Sequence, residues 1–288
     1  MKKKVKWIVL FCVIAVVIAG TAVLHLNPHY IYIFGENVGV NCEKIEMSAV
    51  APGNMNRYTL DELEANDAIQ FDQSMMLINT DYLLQEDYEP SLGQYKDTDV
   101  MVNECLHIAY EKLSMAVSEQ TGSKLFVSSA YRTEEEQQEL YEADPLTANV
   151  PGSSEHQTGL ALDVYVQYYA GFGFIKTEAG QFVNSNCWKY GFIIRYPSYG
   201  KNETGMKYEP WHIRYVGEPH AQIIYNNRLT LEEYIQSLEV GMWYEVDGYL
   251  ISRQKTDKNG TLSLPDSYSN AVISPDNTGC YIVTIKMK

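Results

Sequence analysis

The sequence predicts an α+β fold with a mainly antiparallel sheet and flanking helices, together with an N-terminal membrane anchor and a small C-terminal β appendage, and three observations lead to this prediction. Strand-like apolar runs and helical segments follow each other without the strand–helix–strand order that parallel sheets require. The N-terminal residues have the composition of a membrane anchor, and the last fifty residues are rich in strand and turn signals. The predicted parts are a lysine cluster and membrane anchor (1–26), a stalk (27–72), a central domain (73–238) and a small β appendage (239–288).

Composition limits the classes of partner. The chain has 288 residues, which is enough for one full core and a small additional domain. Its formal net charge is −15, so no nucleic-acid partner is expected, because such partners select basic surfaces. The five cysteines show neither the close pairing of a thiolate zinc site nor the density of a disulfide scaffold, and no essential disulfide is predicted.

The N-terminus carries the predicted anchor. Four lysines among the first six residues precede an uncharged, mostly apolar run of eighteen residues, Trp7–Leu24. A membrane-spanning helix needs ~20 such residues, whereas the apolar core of a signal peptide has ~7–15. A cleaved signal peptide is the competing interpretation, because small residues occur at 19–22, but the apolar run continues beyond them. Since basic flanks stay cytoplasmic, we expect a single-pass protein of the cell membrane whose central domain is extracytoplasmic.

The remaining elements follow from periodicity and capping signals. The stalk at 27–72 mixes apolar patches with Gly, Asn and Pro and is predicted to hold one short helix, Leu60–Ala68. Near-helical spacing predicts a helix within 97–119, and Thr133 is the predicted N-cap of another at Glu134–Tyr141. The other predicted elements of the central domain are strands at Met75–Asn79, Leu125–Ala130, Leu160–Val164, Gly191–Tyr196 and Lys207–Val216, a loop at Pro197–Gly205, and helices at Glu178–Tyr190, Glu218–Asn226 and Leu231–Leu238.

The β appendage is predicted because the residue pattern and composition change after about residue 239. Three segments alternate or are rich in β-forming residues: Met242–Ser252, Thr261–Leu264 and Cys280–Lys288. Between them, Asp257–Gly260 has the composition of a hairpin turn. No activity is assigned to this part of the chain.

Two short stretches carry the residues that indicate chemistry. Ser154–Asp163 reads Ser-Glu-His-Gln-Thr-Gly-Leu-Ala-Leu-Asp, and residues 209–212 read Glu-Pro-Trp-His. A catalytic zinc site uses three nitrogen or oxygen ligands and leaves one position open. We therefore predict that His156, Asp163 and His212 bind zinc. An incidental His and Asp on a core strand is the alternative, and it is disfavoured because an unpaired carboxylate inside an apolar run is costly.

Glu209 is the predicted general base, which takes a proton from the attacking water and returns it to the leaving nitrogen. Glu209 and His212 are three residues apart, so in a regular strand their side chains point to opposite faces. Pro210 cannot donate to a sheet ladder. We therefore expect a local break at Pro210 that turns both side chains into one cavity.

Arg132 follows the strand predicted at Leu125–Ala130 and precedes the polar helix. A guanidinium at this position is suited to hold a developing oxyanion or a substrate carboxylate. The alternative interpretation is a surface arginine that pairs with Glu135 or Glu136, and these residues alone leave both interpretations open.

Three motifs together are similar to those of a known family. They are Ser-x-Tyr-Arg followed by Gln137, Ser-Glu-His-x-x-Gly-x-x-x-Asp, and Glu-Pro-Trp-His-x-Arg-Tyr-Val-Gly. As a set they resemble the zinc D-alanyl-D-alanine carboxypeptidases, above all the membrane-anchored VanY proteins of vancomycin-resistance clusters. The resemblance covers about Met75–Leu238. It implies a compact α+β fold shared with the dipeptidase VanX and the hedgehog signalling domain.

The resemblance also implies a role for each matched residue. No departure from the motifs occurs at these positions. The implied roles are zinc ligation by His156, Asp163 and His212, base catalysis by Glu209, stabilisation of the tetrahedral intermediate by Arg132, and contact with the terminal residues of the peptide by Gln137 and Ser154.

The expected function is therefore zinc-dependent removal of the terminal D-alanine from peptidoglycan precursors that end in D-Ala-D-Ala. Such trimming deprives a glycopeptide antibiotic such as vancomycin of its target. One alternative is an L,D-carboxypeptidase that acts on tetrapeptide stems. Another is a non-catalytic wall-binding module that keeps zinc as a structural ion, and Glu209 argues against it because a structural site needs no base.

Overall fold

A computed structural model describes residues 13–14, 20–146 and 148–287 of the chain. The helices with described bounds are α1 (His29–Val38), α2 (Leu60–Glu64), α3 (His107–Thr121), α4 (Glu134–Ala143), α5 (Glu178–Asn186), α6 (Lys201–Thr204), α7 (His220–Asn227) and α8 (Leu231–Ser237). Short 3-10 helices occur at Glu104–Leu106, Glu155–Thr158, Gly171–Lys176 and Cys187–Tyr190. The strands are β1 (Ser48–Val50), β2 (Met55–Thr59), β3 (Ile69–Phe71), β4 (Leu92–Gln94), β5 (Met101–Asn103), β6 (Phe126–Ser129), β7 (Ala161–Tyr165), β8 (Phe192–Ile194), β9 (His212–Tyr215), β10 (Trp243–Val246), β11 (Tyr249–Gln254), β12 (Thr261–Pro265), β13 (Asn270–Pro275) and β14 (Tyr281–Lys286).

A four-stranded antiparallel sheet with the strand order β6-β7-β9-β8 forms the centre of the molecule. Helices α3 and α5 bury their apolar faces in the same cluster as this sheet, with Leu113, Val117, Leu162, Val183 and Phe192 among its members. Each such side chain stabilises the fold by about 1.5–3 kcal/mol through removal from water. The predicted α+β class with mainly antiparallel pairing is confirmed.

A second, six-stranded sheet has the order β1-β10-β11-β14-β13-β3. Its strands pair antiparallel except β13 and β3, which are parallel. Strand β12 pairs separately with β2. Strands from residues 48–71 thus pair with strands from residues 243–286. The division into a stalk, a central domain and an appendage remains a prediction. The structure shows that strands within the predicted stalk pair with strands within the predicted appendage.

Three local predictions from sequence are wrong, and one of them is the loop at Pro197–Gly205, which contains the short helix α6. The segment Met75–Asn79 is buried but forms no strand; Leu77 N–H donates to the carbonyl of Asp276, and Arg214 donates to the carbonyls of Ser74 and Met76. The apolar composition of this segment reflects its burial and does not indicate a β-strand. The predicted turn before Gly260 exists, but the flanking strands β11 and β12 pair with other strands and form no hairpin with each other.

The predicted location in the membrane is also corrected. No helix among the described residues is long and apolar enough to span a bilayer. This finding contradicts the expected single-pass, extracytoplasmic arrangement and its membrane partner. Most of the apolar run behind that expectation, residues 7–12 and 15–19, lies outside the described residues.

His220 at the start of α7 gives the fold a predicted acid sensitivity. Its Nδ1 lies 2.6 Å from the hydroxyl of Tyr234, and its Nε2 lies 2.8 Å from Oγ1 of Thr284 on β14. Burial lowers the pKa of His220 to about 3 from 6.5. As pH falls from about 6.5 towards 3, the unfolded chain therefore takes up a proton that the folded chain does not, and the free energy of unfolding falls by a few kcal/mol, at about 1.4 kcal/mol per unit of pKa difference.

The measurement is urea unfolding of the metal-free protein at several values of pH between 7 and 4.5. His220→Gln removes the titration but keeps hydrogen-bonding capacity, so its stability is expected to fall less steeply over this range. Equal slopes for the variant and the unsubstituted protein would contradict the assignment.

Candidate active site

Strand pairing brings the predicted ligands together. Asp163 lies in the middle of β7, and its partner in the register of β9 is His212, the first residue of that strand. On the other side, Asp163 is paired with Ser129 of β6, beside an irregularity in the register. The end of β6 leads directly to Arg132. Residues far apart in sequence therefore meet at one edge of the central sheet.

His156 reaches the same edge from the 3-10 helix Glu155–Thr158. Gly159 ends this helix with φ at +68°, a backbone conformation that glycine adopts without steric cost. A Cβ atom at Gly159 would lie 2.7 Å from the backbone nitrogen of Asn103. The glycine thus allows the turn that carries His156 to pack closely against β5.

The three predicted ligands form a cluster suited to a metal ion. One donor atom each from His156, Asp163 and His212 lies within 4.8 Å of the others. Nε2 of His156 is 3.5 Å from Oδ2 of Asp163, and Nδ1 of His212 is 2.9 Å from Oδ1 of the same carboxylate. Two imidazole nitrogens and one carboxylate are a donor set that zinc uses in catalytic sites. The residues therefore fit zinc.

The second nitrogen of His156 fixes the orientation of its ring. Nδ1 lies 2.7 Å from the carbonyl oxygen of Ala130, an acceptor only, so this nitrogen carries the proton and donates it. Nε2 is left with its lone pair towards Asp163. Histidines that bind metals usually hold their other ring N–H in this way.

The charges around the cluster favour a cation between its members. Burial raises the pKa of Asp163, but His156 and His212 outweigh it, and the net pKa lies below its usual range. Burial disfavours the charged form of His212, yet Asp163 and Glu155 raise the pKa of His212 to about 9. The negative charges that favour a proton on His212 also favour a metal ion at this site.

Glu209 lies in a turn directly before β9. Its carbonyl accepts a hydrogen bond of 3.1 Å from the backbone N–H of His212, and this turn is the break expected at Pro210. Glu209 and His212 consequently line one cleft. Burial raises the pKa of Glu209; the charge of His212 opposes this effect, and the weaker effect of the Asp163 charge adds to it. A carboxylate with a raised pKa is a better proton acceptor at neutral pH.

Arg132 and Gln137 are held together beside the ligands. Arg132 Nη1 donates to Oε1 of Gln137 at 2.7 Å, and Nη2 donates to the Ser129 hydroxyl at 2.9 Å. Gln137 is buried on α4 and also donates to the carbonyl of Asn149 at 2.6 Å. The guanidinium of Arg132 is therefore fixed in place, and no ion pair of it with Glu135 or Glu136 occurs in the described part of the chain.

All seven residues predicted from the sequence line a single cleft of about 170 Å³. Tyr196 and Trp211 contribute to its walls, and the Tyr196 ring centroid lies 5.1 Å from that of His212. The cleft members predicted from the sequence are Arg132, Gln137, Ser154, His156, Asp163, Glu209 and His212. Their roles in catalysis and substrate binding remain predictions.

The sequence did not reveal the charged group behind the ligands. Glu155, Arg195 and Arg214 are almost completely buried and joined by ion pairs. Burial would raise the pKa of Glu155, but Arg195 and Arg214 hold it well below its usual range. Glu155 and Arg214 belong to the quoted motifs. Glu155 directly precedes His156 and Arg214 lies two residues after His212, so their closeness to predicted ligands was the sequence signal for this group.

Comparisons with known proteins identify the family to which this chain belongs. Residues 100–218 match the family model VanY, D-alanyl-D-alanine carboxypeptidase. The bifunctional D-Ala-D-Ala dipeptidase and D-Ala-D-Ala carboxypeptidase VanXYC of Enterococcus gallinarum is 36% identical over 179 residues, which are 56% of this chain and 93% of that protein.

Two solved structures are similar as well. The D,D-dipeptidase VanXYg, in complex with a D-Ala-D-Ala phosphinate analogue, has a TM-score of 0.62 at 25% identity, covering 81% of this chain and 100% of that one. The D,D-pentapeptidase VanY from a VanB-type resistance cassette, in complex with Zn(II), has a TM-score of 0.50 at 32% identity, covering 56% of this chain and 98% of that one.

Proposed function

Because the chain belongs to the VanY family of D-alanyl-D-alanine carboxypeptidases, we propose that it is a zinc-dependent D,D-carboxypeptidase of peptidoglycan precursors. Its substrate is a stem peptide that ends in D-Ala-D-Ala, and its products are D-alanine and the shortened stem. The observation that supports this function most strongly is the convergence of the cluster His156, Asp163 and His212 with Glu209 and Arg132 in one cleft. A non-catalytic zinc module has no use for the last two groups.

The chain's own residues carry the proton and charge steps. His156, Asp163 and His212 would hold the zinc ion, which would supply Lewis-acid activation of the scissile carbonyl and of water. Glu209 accepts the proton of the attacking water and passes it to the leaving nitrogen of D-alanine. Arg132 donates N–H groups to the oxygen that gains negative charge in the tetrahedral intermediate. Because Gln137 and Ser129 hold the guanidinium, this donor needs no reorganisation during the reaction.

The end of the peptide binds next to these groups. Gln137 and Ser154, both buried in the wall of the cleft, contact the terminal residues of the substrate. The cleft of about 170 Å³ suits the last residues of a peptide, while the rest of the stem extends into solvent. Removal of the terminal D-alanine takes away the D-Ala-D-Ala end that a glycopeptide binds, and the proposed role in the cell is wall remodelling that lowers vancomycin susceptibility.

The test is incubation of the zinc-loaded protein with a pentapeptide stem, a tetrapeptide stem and free D-Ala-D-Ala, followed by mass spectrometry of the products. We expect the pentapeptide to lose one D-alanine and the tetrapeptide to remain intact. Stems that end in D-Ala-D-Ser and D-Ala-D-lactate then define the preference at the last position. Cleavage of the tetrapeptide alone would replace the proposal by an L,D-carboxypeptidase, and no cleavage of any stem would favour a binding module.

A further inference from the structure

Four buried charged side chains lie behind the zinc site. Oε1 of Glu155 accepts hydrogen bonds from Arg195 Nε at 2.7 Å and from Arg214 Nη1 at 2.6 Å. Glu232 on α8 binds the other side of Arg195 with both carboxylate oxygens, at 2.6 and 2.9 Å. Arg214 is held in addition by the carbonyls of the segment 74–76. Two arginines thus hold Glu155, and each arginine is fixed in turn by groups from another part of the fold.

The second oxygen of Glu155 is directed towards a zinc ligand. Its Oε2 lies 3.8 Å from Nε2 of His212. Both atoms are buried, and neither has a hydrogen-bond partner among the described residues. Buried polar atoms are nearly always paired, so two unpaired atoms that face each other require an explanation. The other nitrogen of His212, Nδ1, faces Asp163 and the metal cluster.

We propose that Glu155 is the positioning residue of His212: its Oε2 accepts the Nε2–H of His212 and thereby leaves Nδ1 free to bind zinc. This inference rests on the zinc site of the proposed function. A small closing movement of the ring from 3.8 Å brings the pair within hydrogen-bond distance. The arrangement gives the two histidines complementary anchors, since His156 donates to the carbonyl of Ala130 and His212 donates to Glu155.

The two buried arginines, Arg195 and Arg214, hold the Glu155 carboxylate in one orientation. Arg195 and Arg214 both bind Oε1, so only Oε2 is available to His212. The two guanidinium charges also compensate the cost of burying the carboxylate. Glu232 shares Arg195 with Glu155 but has no contact with His212 in the described structure, and it therefore provides a matched control.

Glu155→Gln tests the proposal because it keeps the shape of the side chain. The amide oxygen stays with the two arginines, and the amide N–H₂ then points at Nε2 of His212. To accept from this donor, His212 must move its proton to Nδ1, which removes the lone pair that binds zinc. We expect a zinc dissociation constant 10–100-fold larger than that of the unsubstituted protein, as for other outer partners of metal ligands. Glu232→Gln also removes one carboxylate from Arg195, and this variant is expected to change the zinc dissociation constant less than about twofold.

The measurement is competition with a chelator on metal-free protein, with circular dichroism to verify the fold. An unchanged constant in Glu155→Gln, or an equal weakening in Glu232→Gln, would overturn the proposal, because the effect would then be absent or due to the loss of buried charge alone. No peptide is used, so failure to cleave any stem leaves the result interpretable.

A second measurement needs no variant and stands if Glu155→Gln does not fold. Nitrogen-15 NMR of histidine-labelled, zinc-loaded protein reports which ring nitrogen of each histidine carries a proton. We expect His156 to be protonated at Nδ1 and His212 at Nε2, the latter exchanging slowly with solvent. A His212 that binds zinc through Nε2 and is protonated at Nδ1 would refute the proposed role of Glu155.

Discussion

Glu209→Gln is expected to retain zinc and the fold while losing turnover by ~10²–10⁴-fold, the usual cost of removing a general base. The amide keeps the size and polarity of the side chain but cannot accept the proton of the attacking water. Because Glu209 lies outside the ligand cluster, its replacement leaves the zinc donors in place. The measurement is zinc content by mass spectrometry beside D-alanine release, both on the same purified sample.

Glu203→Gln on α6 is the control, since it makes the same chemical change at an exposed position near in sequence. It should leave both zinc content and turnover unchanged. Loss of zinc from Glu209→Gln would make Glu209 a ligand instead of a base. Unchanged turnover would mean that another group accepts the proton.

His156→Ala and His212→Ala are expected to lose zinc and activity together. Removal of either imidazole leaves only two protein donors, and a catalytic zinc site needs three. The decrease in zinc affinity should exceed the ~10–100-fold decrease typical of losing an outer partner of a ligand. In the unsubstituted protein, a chelator should abolish activity and added zinc should restore it.

The exposed His25 provides the control, because His25→Ala removes an imidazole that lies outside the cleft. This variant should bind zinc as the unsubstituted protein does. Full activity of a metal-free preparation would disprove the zinc mechanism, and stoichiometric zinc in either ligand variant would remove that histidine from the site.

The composition of the cleft was predictable because its chemistry is concentrated in short motifs. His156 and Asp163 lie in one stretch of ten residues, and Glu209 and His212 lie in another of four. Their residue types specify a donor set and a base without knowledge of the fold. The pairing of Asp163 with His212 across β7 and β9 was not predictable, since the register depends on packing between segments that are 49 residues apart.

The role of Glu155 shows where such prediction stops. A glutamate next to a predicted ligand has no evident partner in the sequence, because Arg195 and Arg214 follow 40 and 59 residues later. An arginine inside an apolar strand indicates a buried charge but not which carboxylate compensates it. The partner becomes known only when the sheet brings these residues together.

The helices were predicted better than the strands of the second sheet. Helix α4 begins after Thr133 as expected, because its capping box is a local signal in which Thr133 and Glu136 bind each other's backbone N–H. Strands β1 and β3 contain only three residues each, and their partners lie near the other end of the chain. Periodicity in so short a segment cannot indicate a pairing, so the sequence alone predicts only a stalk for residues 27–72.

The pairing of β1, β2 and β3 with C-terminal strands limits when these strands can pair during synthesis. The register joins Ser48 to Glu245, Thr59 to Thr261 and Ile69 to Ala271, each across roughly two hundred residues. During synthesis, these N-terminal strands leave the ribosome long before their partners exist, whereas the central sheet can form from contacts between neighbouring segments. The first strands therefore wait with unpaired edges, a state prone to aggregation. Closure of the second sheet therefore requires residues 243–286 to have been synthesised.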